Sequence, residues 1–199
     1  MNPKTFIFIG RSGSGKGTQA SLLIEYLKKD DPEKRVLHLE TGQEFRKLRE
    51  GTGPTSRIVK EIYDKGGLMP EFLPIWLWSD FLVNNLKESD HLVVDGVARR
   101  VREAEILDSA LKFYKREKLF IVHINVKRGW AFDRLMARKR ADDNADDINA
   151  RLDWFESEVS KSLAYYAGNP DYKVLDINGE QTIEEVHEEI VEKLLFDSV

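Results

Sequence analysis

Apolar and polar positions fall in blocks of two kinds along this chain. Some runs are apolar at every position, and others repeat every three or four residues. Phe6-Ile7-Phe8-Ile9 is of the first kind, and it predicts a strand over 5–9 that is covered on both faces. Leu22, Leu23, Tyr26 and Leu27 are of the second kind and predict the inner face of a helix over 16–28. The same reading gives a second strand over 36–39 and a helix over 41–50 with Thr41 as its N-cap. A break follows at Gly51-Thr52-Gly53-Pro54, then a helix over 56–65 stopped by Gly66-Gly67. An apolar helix over 73–87 precedes a short buried strand over 91–94 that ends at Asp95. A longer strand spans 119–126 and a helix 127–138. Ile148, Leu152, Phe155, Val159 and Leu163 trace one continuous helix face. A last strand over 172–177 leads into an amphipathic helix marked by Ile183, Val186, Ile190 and Leu194. Trp76, Trp78 and Phe81 sit in the apolar helix and read as core packing rather than as a base-stacking platform.

Strands separated by helical crossovers predict an α/β fold, a parallel sheet of about five strands with helices on both faces. Ligands in such folds bind at the carboxyl ends of the strands. Three loops fall there: the glycine-rich loop after the first strand, Thr41-Gly42 after the second, and Asp95-Gly96 after the third.

Composition narrows the picture. A chain of 199 residues with 41% hydrophobic residues suits one domain with a sizeable core. A net charge of −4 gives no global field to recruit nucleic acid or an acidic membrane. The absence of Cys excludes disulfides, thiolate nucleophiles and Cys-ligated metals. The chain shows no signal-peptide pattern and no bilayer-length apolar run, so a cytoplasmic protein with no membrane or nucleic-acid partner is expected. The four His residues show no ligand spacing.

The candidate chemistry begins at Gly10-Arg11-Ser12-Gly13-Ser14-Gly15-Lys16-Gly17-Thr18-Gln19. Its glycines let backbone N–H groups approach phosphate oxygens, Lys16 adds a point charge, and the helix that starts there aims its positive end at the same place. The usual P-loop has Ser or Thr directly after the Lys, whereas here Gly17 intervenes before Thr18. Asp95, at the end of a β-branched run, is placed to hold Mg²⁺ through water, although an Asp-Gly turn is also a common way to end a strand. Arg134 and Arg138 are four residues apart on one helix face, an unfavourable pair unless an anion or acid lies between them. Arg35, Arg49, Arg100 and Arg102 read as surface or ion-paired arginines.

Four motifs in register over nearly the whole chain resemble those of the adenylate kinase family of nucleoside monophosphate kinases. The loop at 10–19 resembles Gly-x-Pro-Gly-x-Gly-Lys-Gly-Thr-Gln, including the Gly after Lys. Thr41-Gly42-Gln43-Glu44-Phe45-Arg46 resembles Thr-Gly-Asp-x-x-Arg, and Asp95-Gly96-Val97-Ala98-Arg99 resembles Asp-Gly-Phe-Pro-Arg. Arg140-Ala141-Asp142-Asp143, then Arg151-Leu152 after a seven-residue gap, resembles Arg-x-Asp-Asp-x7-Arg-Leu.

The resemblance implies a P-loop core (1–40, 73–138 and 145–199), a helical insert for the monophosphate at about 41–72, and a very short lid at about 138–144. It implies that Gly10, Gly13, Ser14, Gly15, Lys16, Gly17, Thr18 and Arg134 bind ATP. Thr41, Gly42, Arg46, Leu68, Gly96, Arg99 and Glu103 would bind the acceptor. Lys16, Arg99, Arg134, Arg138, Arg140 and Arg151 would surround the phosphoryl in flight, and Asp95, with Thr18 as a second candidate, would serve Mg²⁺. A zinc-bearing lid has neither room nor Cys ligands here, and a monomer is expected.

Four positions depart from the family pattern: Ser12 for Pro, Gln43 for Asp, Val97-Ala98 for Phe-Pro, and Glu103 for the Gln that reads the acceptor adenine. Ionised Glu only accepts hydrogen bonds, so the acceptor base stays open between AMP and GMP, CMP or UMP. A non-catalytic nucleotide-binding regulator is the rival of a different class, and the full set of cations on both sides of a transfer path speaks against it.

Overall fold

A computed structural model describes residues 2–64, 67, 69–138 and 144–196. The chain runs β1 (Lys4–Gly10), α1 (Lys16–Asp30), β2 (Val36–Glu40), α2 (Thr41–Glu50), α3 (Pro54–Asp64), α4 (Phe72–Asn85), β3 (His91–Asp95) and α5 (Val101–Phe113). It continues through β4 (Lys118–Asn125), α6 (Arg128–Arg138), α7 (Ala145–Trp154), a π-helical turn (Phe155–Val159), α8 (Ser160–Ala167), β5 (Tyr172–Asn178) and α9 (Ile183–Leu195). The strands form one five-stranded sheet in the order β2-β3-β1-β4-β5, with every pairing parallel. β1 is central, with β3 on one side and β4 on the other. The strand order therefore reverses at the carboxyl end of β1, which is where the crevice of such a sheet opens.

Successive strand residues point to opposite faces, and β1 is apolar on both for this reason. Phe6 and Phe8 pack with Leu23 and Leu27 of α1 and with Val186 and Ile190 of α9. Ile7 and Ile9 pack on the other face with Trp78 of α4, Leu107 and Leu111 of α5, and Tyr166 of α8. Two smaller cores stand off the sheet. One gathers Phe45, Val59, Met69, Leu73 and Leu77 from α2, α3, the chain before α4, and α4 itself. The other gathers Ala131 and Leu135 of α6 with Ile148 and Leu152 of α7. α9 is secured by a capping box in which the Thr182 hydroxyl accepts from the Glu185 N–H at 3.2 Å, and the Glu185 carboxylate accepts from the Thr182 N–H at 2.9 Å.

The structure corrects the sequence reading in several places. Thr41 is the first residue of α2, not its cap. Its hydroxyl donates to the Asp95 carbonyl at 3.3 Å, a tertiary partner from β3, and Glu40 holds the cap position. Pro54 opens α3 instead of breaking the chain, since Pro at a first helical position loses only an N–H that has no helical partner. The apolar helix runs Phe72–Asn85 rather than over 73–87. α5 is absent from the sequence-derived order, because two acids, Glu103 and Asp108, lie buried among its apolar residues. The continuous helix inferred from Ile148 to Leu163 is interrupted by the π turn. Trp78 is fully buried as expected, but Trp76 is 54% exposed, because residues two apart on a helix point to different sides.

Candidate active site

The carboxyl ends of β1, β2 and β3 open into a cleft of about 950 Å³. The loop after β1 forms its floor. Gly13 and Gly15 have φ of +84° and +93°, a region that residues with a Cβ seldom adopt. Gly13 is also needed for packing, because a Cβ there would sit 2.8 Å from the Ala131 carbonyl of α6. At Gly15 a Cβ would meet nothing within 4 Å, so the reason for glycine there is its backbone angle alone. Gly15 is the N-cap of α1, so no side chain covers the first turn of that helix. A Cβ on Gly17 would stand at contact distance, 3.4 Å, from Asp95 Oδ2, so the loop passes directly beside that carboxylate.

Lys16 Nζ donates to the Gly10 carbonyl at 2.9 Å and to the Arg11 carbonyl at 2.8 Å, so the ammonium is folded over its own loop. Burial lowers its pKa to about 8, opposed by the neighbouring Asp95 carboxylate and assisted by the positive charges of Arg99 and Arg138. Burial likewise raises Asp95, and the facing Glu40 adds to that rise, while Lys16 and Arg99 oppose it. Glu40 and Asp95 are register partners at the ends of β2 and β3, so the sheet itself sets these acids side by side.

The other named cations surround this floor. Arg46 on α2 pairs with Glu40 at 2.8 Å. Arg99 is exposed beside Gly96. Arg134, Arg138 and Arg151 reach the cleft from α6 and α7, with the Arg134 guanidinium stacked 4.6 Å from the Trp130 ring centroid. Gly10, Thr18, Thr41, Gly42, Gly96 and Glu103 also line the cleft. Ser14 lies buried just behind it, in a small crevice shared with Thr18 and Arg134, and its hydroxyl has no hydrogen-bond partner among the described residues. Leu68 and Arg140, and most of the segment expected to form the lid, lie outside the described residues.

Glu103 is 2% exposed. Its Oε2 accepts from the Arg99 backbone N–H at 2.9 Å, and its Oε1 from Arg100 Nη1 at 3.4 Å. Burial raises this carboxyl above its ordinary value, against those hydrogen bonds. Arg100 also donates to the Met69 carbonyl at 2.9 Å, so it ties the start of α4 to the loop that carries Arg99. Ala98, in the same loop, holds φ at +53°, and its carbonyl accepts from the Ser162 hydroxyl at 2.5 Å.

Several cleft residues carry no motif. Glu40 reads in the sequence as a strand-end acid, and Trp154, Phe155, Glu158 and Val159 as one stretch of helix. Phe155, Glu158 and Val159 lie in the π turn and Trp154 just before it, and all four line the cleft wall, in line with the tendency of such turns to occur at functional sites. Phe155 also supports the loop from beneath, with the Arg11 guanidinium 4.4 Å from its ring centroid and the His123 ring stacked at 6.3 Å.

Sheet order, glycine loop and the lysine at its end together define an α/β enzyme of the P-loop class. The adenylate kinase family model matches residues 8–170. The chain is 32% identical over 182 residues to the adenylate kinase of Corynebacterium diphtheriae, covering 91% of this chain and 93% of that one. It is 30% identical over 187 residues to adenylate kinase 1 of Nostoc sp., covering 92% and 95%. It is 29% identical over 195 residues to the adenylate kinase of Nautilia profundicola, covering 94% of each. The chain belongs to the adenylate kinase family, and its enzyme class is nucleoside monophosphate kinase.

Proposed function

We propose that this protein transfers the γ-phosphoryl of Mg-bound ATP reversibly to a nucleoside monophosphate, with AMP as the acceptor. The observation that carries this reading is the convergence of Lys16, Arg46, Arg99, Arg134, Arg138 and Arg151 on one cleft, from the loop floor and from both flanks. Charge on a phosphoryl in flight is spread over several oxygens, so catalysis consists of positioning plus several converging cations, and no covalent intermediate is needed. The loop backbone (Gly10, Gly13, Ser14, Gly15, Gly17, Thr18) and Lys16 would hold the donor phosphates, with Arg134 alongside. Thr41, Gly42, Arg46, Gly96 and Arg99 would hold the acceptor. Arg138 and Arg151 would close over the transferred group, together with Arg140 and the short lid around it.

The donor set suits Mg²⁺, which takes one or two carboxylates and completes its shell with water and phosphate oxygens. Asp95 is such a carboxylate, beside Gly17 of the loop, and Thr18 offers a hydroxyl on the same cleft. When bound, the ion neutralises charge on the β- and γ-oxygens. Glu103 borders the acceptor side, and in its protonated form it offers one donor and one acceptor, the pair that adenine N1 and its exocyclic amine require. Nucleotide substrates agree with a cytoplasmic location, a monomer is the state proposed, and among the described residues no helix is long and apolar enough to cross a membrane. The test is a coupled assay of the purified protein with ATP and Mg²⁺ across AMP, GMP, CMP, UMP and dAMP. AMP should give the highest kcat/KM, and a preference for another monophosphate, or no turnover with any, overturns the reading.

A further inference from the structure

Glu40 stands at the carboxyl end of β2 in the N-cap position of α2, yet its side chain makes no capping hydrogen bond. It turns across the cleft mouth to Arg46 instead, with Oε1 2.8 Å from Nη2. The two are six residues apart, a spacing that a helix face does not bring together. Gly42 lies against the pair, where a Cβ would sit at ordinary contact distance, 3.4 Å from Arg46 Nη1 and 3.9 Å from Glu40 Oε1. Register pairing sets Glu40 beside Asp95, so a second negative charge faces the same space.

Resting on the reading of Arg46 as a ligand of the acceptor phosphate, we propose that Glu40 is an internal counter-anion that occupies Arg46 until a phosphate dianion displaces it. Glu40 thereby sets acceptor affinity and screens the site against small anions. The pair is suited to exchange. Its side chains are 40% and 37% exposed, and ion pairs so open to solvent are weak. A carboxylate brings one negative charge to the guanidinium. A phosphate monoester near neutral pH brings nearly two, with three acceptor oxygens in a geometry that suits a guanidinium. A well-matched dianion therefore displaces Glu40, while a monoanion or a neutral nucleoside competes poorly. Glu40 acts only through Arg46, as a positioning residue whose effect falls on binding of the acceptor and not of the donor.

The experiment compares Glu40→Gln and Glu40→Ser with the parent by steady-state kinetics varying AMP and then ATP, and by calorimetric titration with inorganic phosphate. Acceptor KM should fall by up to about fivefold, corresponding to about 1 kcal/mol for an exposed pair, with donor KM as the internal reference. Inorganic phosphate should bind more tightly to both variants. In an Arg46→Gln background the Glu40→Gln effect should vanish, because the two act as a unit. A rise in acceptor KM would show that Glu40 holds Arg46 ready for phosphate, which overturns the proposal. An equal fall in both backgrounds would reduce Glu40 to a general field effect and also overturn it. Failure of the functional reading looks different: it is a parent protein that phosphorylates no monophosphate. In that case phosphate titration still decides, since equal binding by parent and Glu40→Gln defeats the proposal and tighter binding by the variant supports it.

Discussion

Raising the pH should weaken donor binding through Lys16, and the slope is set by the ligand-free site. Burial, together with Arg99 and Arg138, holds the Lys16 pKa near 8 against the opposing pull of Asp95. Donor phosphates add negative charge beside the ammonium and raise its pKa in the complex. Below about pH 8 the free and bound forms both carry the proton, so affinity is flat. Above it the free protein has lost the proton that the complex retains, so binding takes one up, and Kd climbs by about tenfold per pH unit. At about pH 9 roughly one free molecule in eleven still carries the charge, so Kd should stand about tenfold above its neutral value. The phosphates do not confound this range, since their last ionisation lies near pH 6.

The assay is calorimetric titration with a non-hydrolysable ATP analogue between about pH 7 and about pH 9.5, in buffers of different ionisation enthalpy that report proton uptake. Lys16→Arg is the control, because a guanidinium stays charged throughout and its Kd, whatever its level, should be flat. A parent Kd that is flat across the range, or an arginine variant with the same slope, refutes the argument. The same depression has a consequence without ligand. The unfolded chain keeps the Lys16 proton up to its ordinary 10.5, so stability of the free protein should rise with pH between about 8 and that value.

Ala98→Gly should raise the melting temperature by relieving a positive φ of +53°, a gain of about 1 kcal/mol, while Ala98→Pro, which restores the family spelling, should lose at least about 3 kcal/mol because proline locks φ near −65°. Thermal denaturation measures both, and a proline variant as stable as the parent would mean the loop adopts another path. Since burial raises the Glu103 carboxyl, the AMP to GMP ratio of kcat/KM should fall as pH rises through that ionisation, and Glu103→Gln should remove the dependence. Identical profiles would take Glu103 out of base selection. Arg99→Ala should mainly raise acceptor KM, and Arg138→Ala should lower kcat by about 10²–10³, as read from steady-state kinetics varying the monophosphate. Parent-like behaviour of both would make them ordinary surface arginines.

The sheet was legible because buried parallel strands read as unbroken apolar runs, as at Phe6–Ile9 and Leu92–Val94. α5 was not, because two buried acids interrupt its apolar pattern and some of their partners lie outside the helix. Glu103 accepts from the Arg99 N–H, and Asp108 from the Tyr172 hydroxyl 64 residues away. Thr41 misled for the same reason: a Thr before a helical run suits a cap, but the Asp95 carbonyl claimed its hydroxyl. The glycines, Lys16 and the arginines stood out because the phosphate-binding role proposed for them calls for those residue types. Glu40 did not, since a carboxylate at a strand end is ordinary until its partner is known. Trp154 and Phe155 were hidden because the apolar spacing reads as one unbroken α-helix, whereas a π turn begins at Phe155.

The cleft is not a set of bare cations awaiting an anion. Lys16 is held by two carbonyls of its own loop, Arg46 by Glu40, and Arg134 by the face of Trp130. On the proposed reading, substrate binding at these positions would exchange one partner for another, so the affinity gained would be the difference between a phosphate contact and the contact it replaces. Such held cations lower the binding energy available to the ground state. They need not lower what is available in the transition state, where charge on the transferred group is spread toward every cation at once. Removing a stand-in partner should therefore act on KM. Removing a cation that meets the phosphoryl only in flight should act on kcat. The Glu40 and Arg138 variants separate these two effects within one cleft.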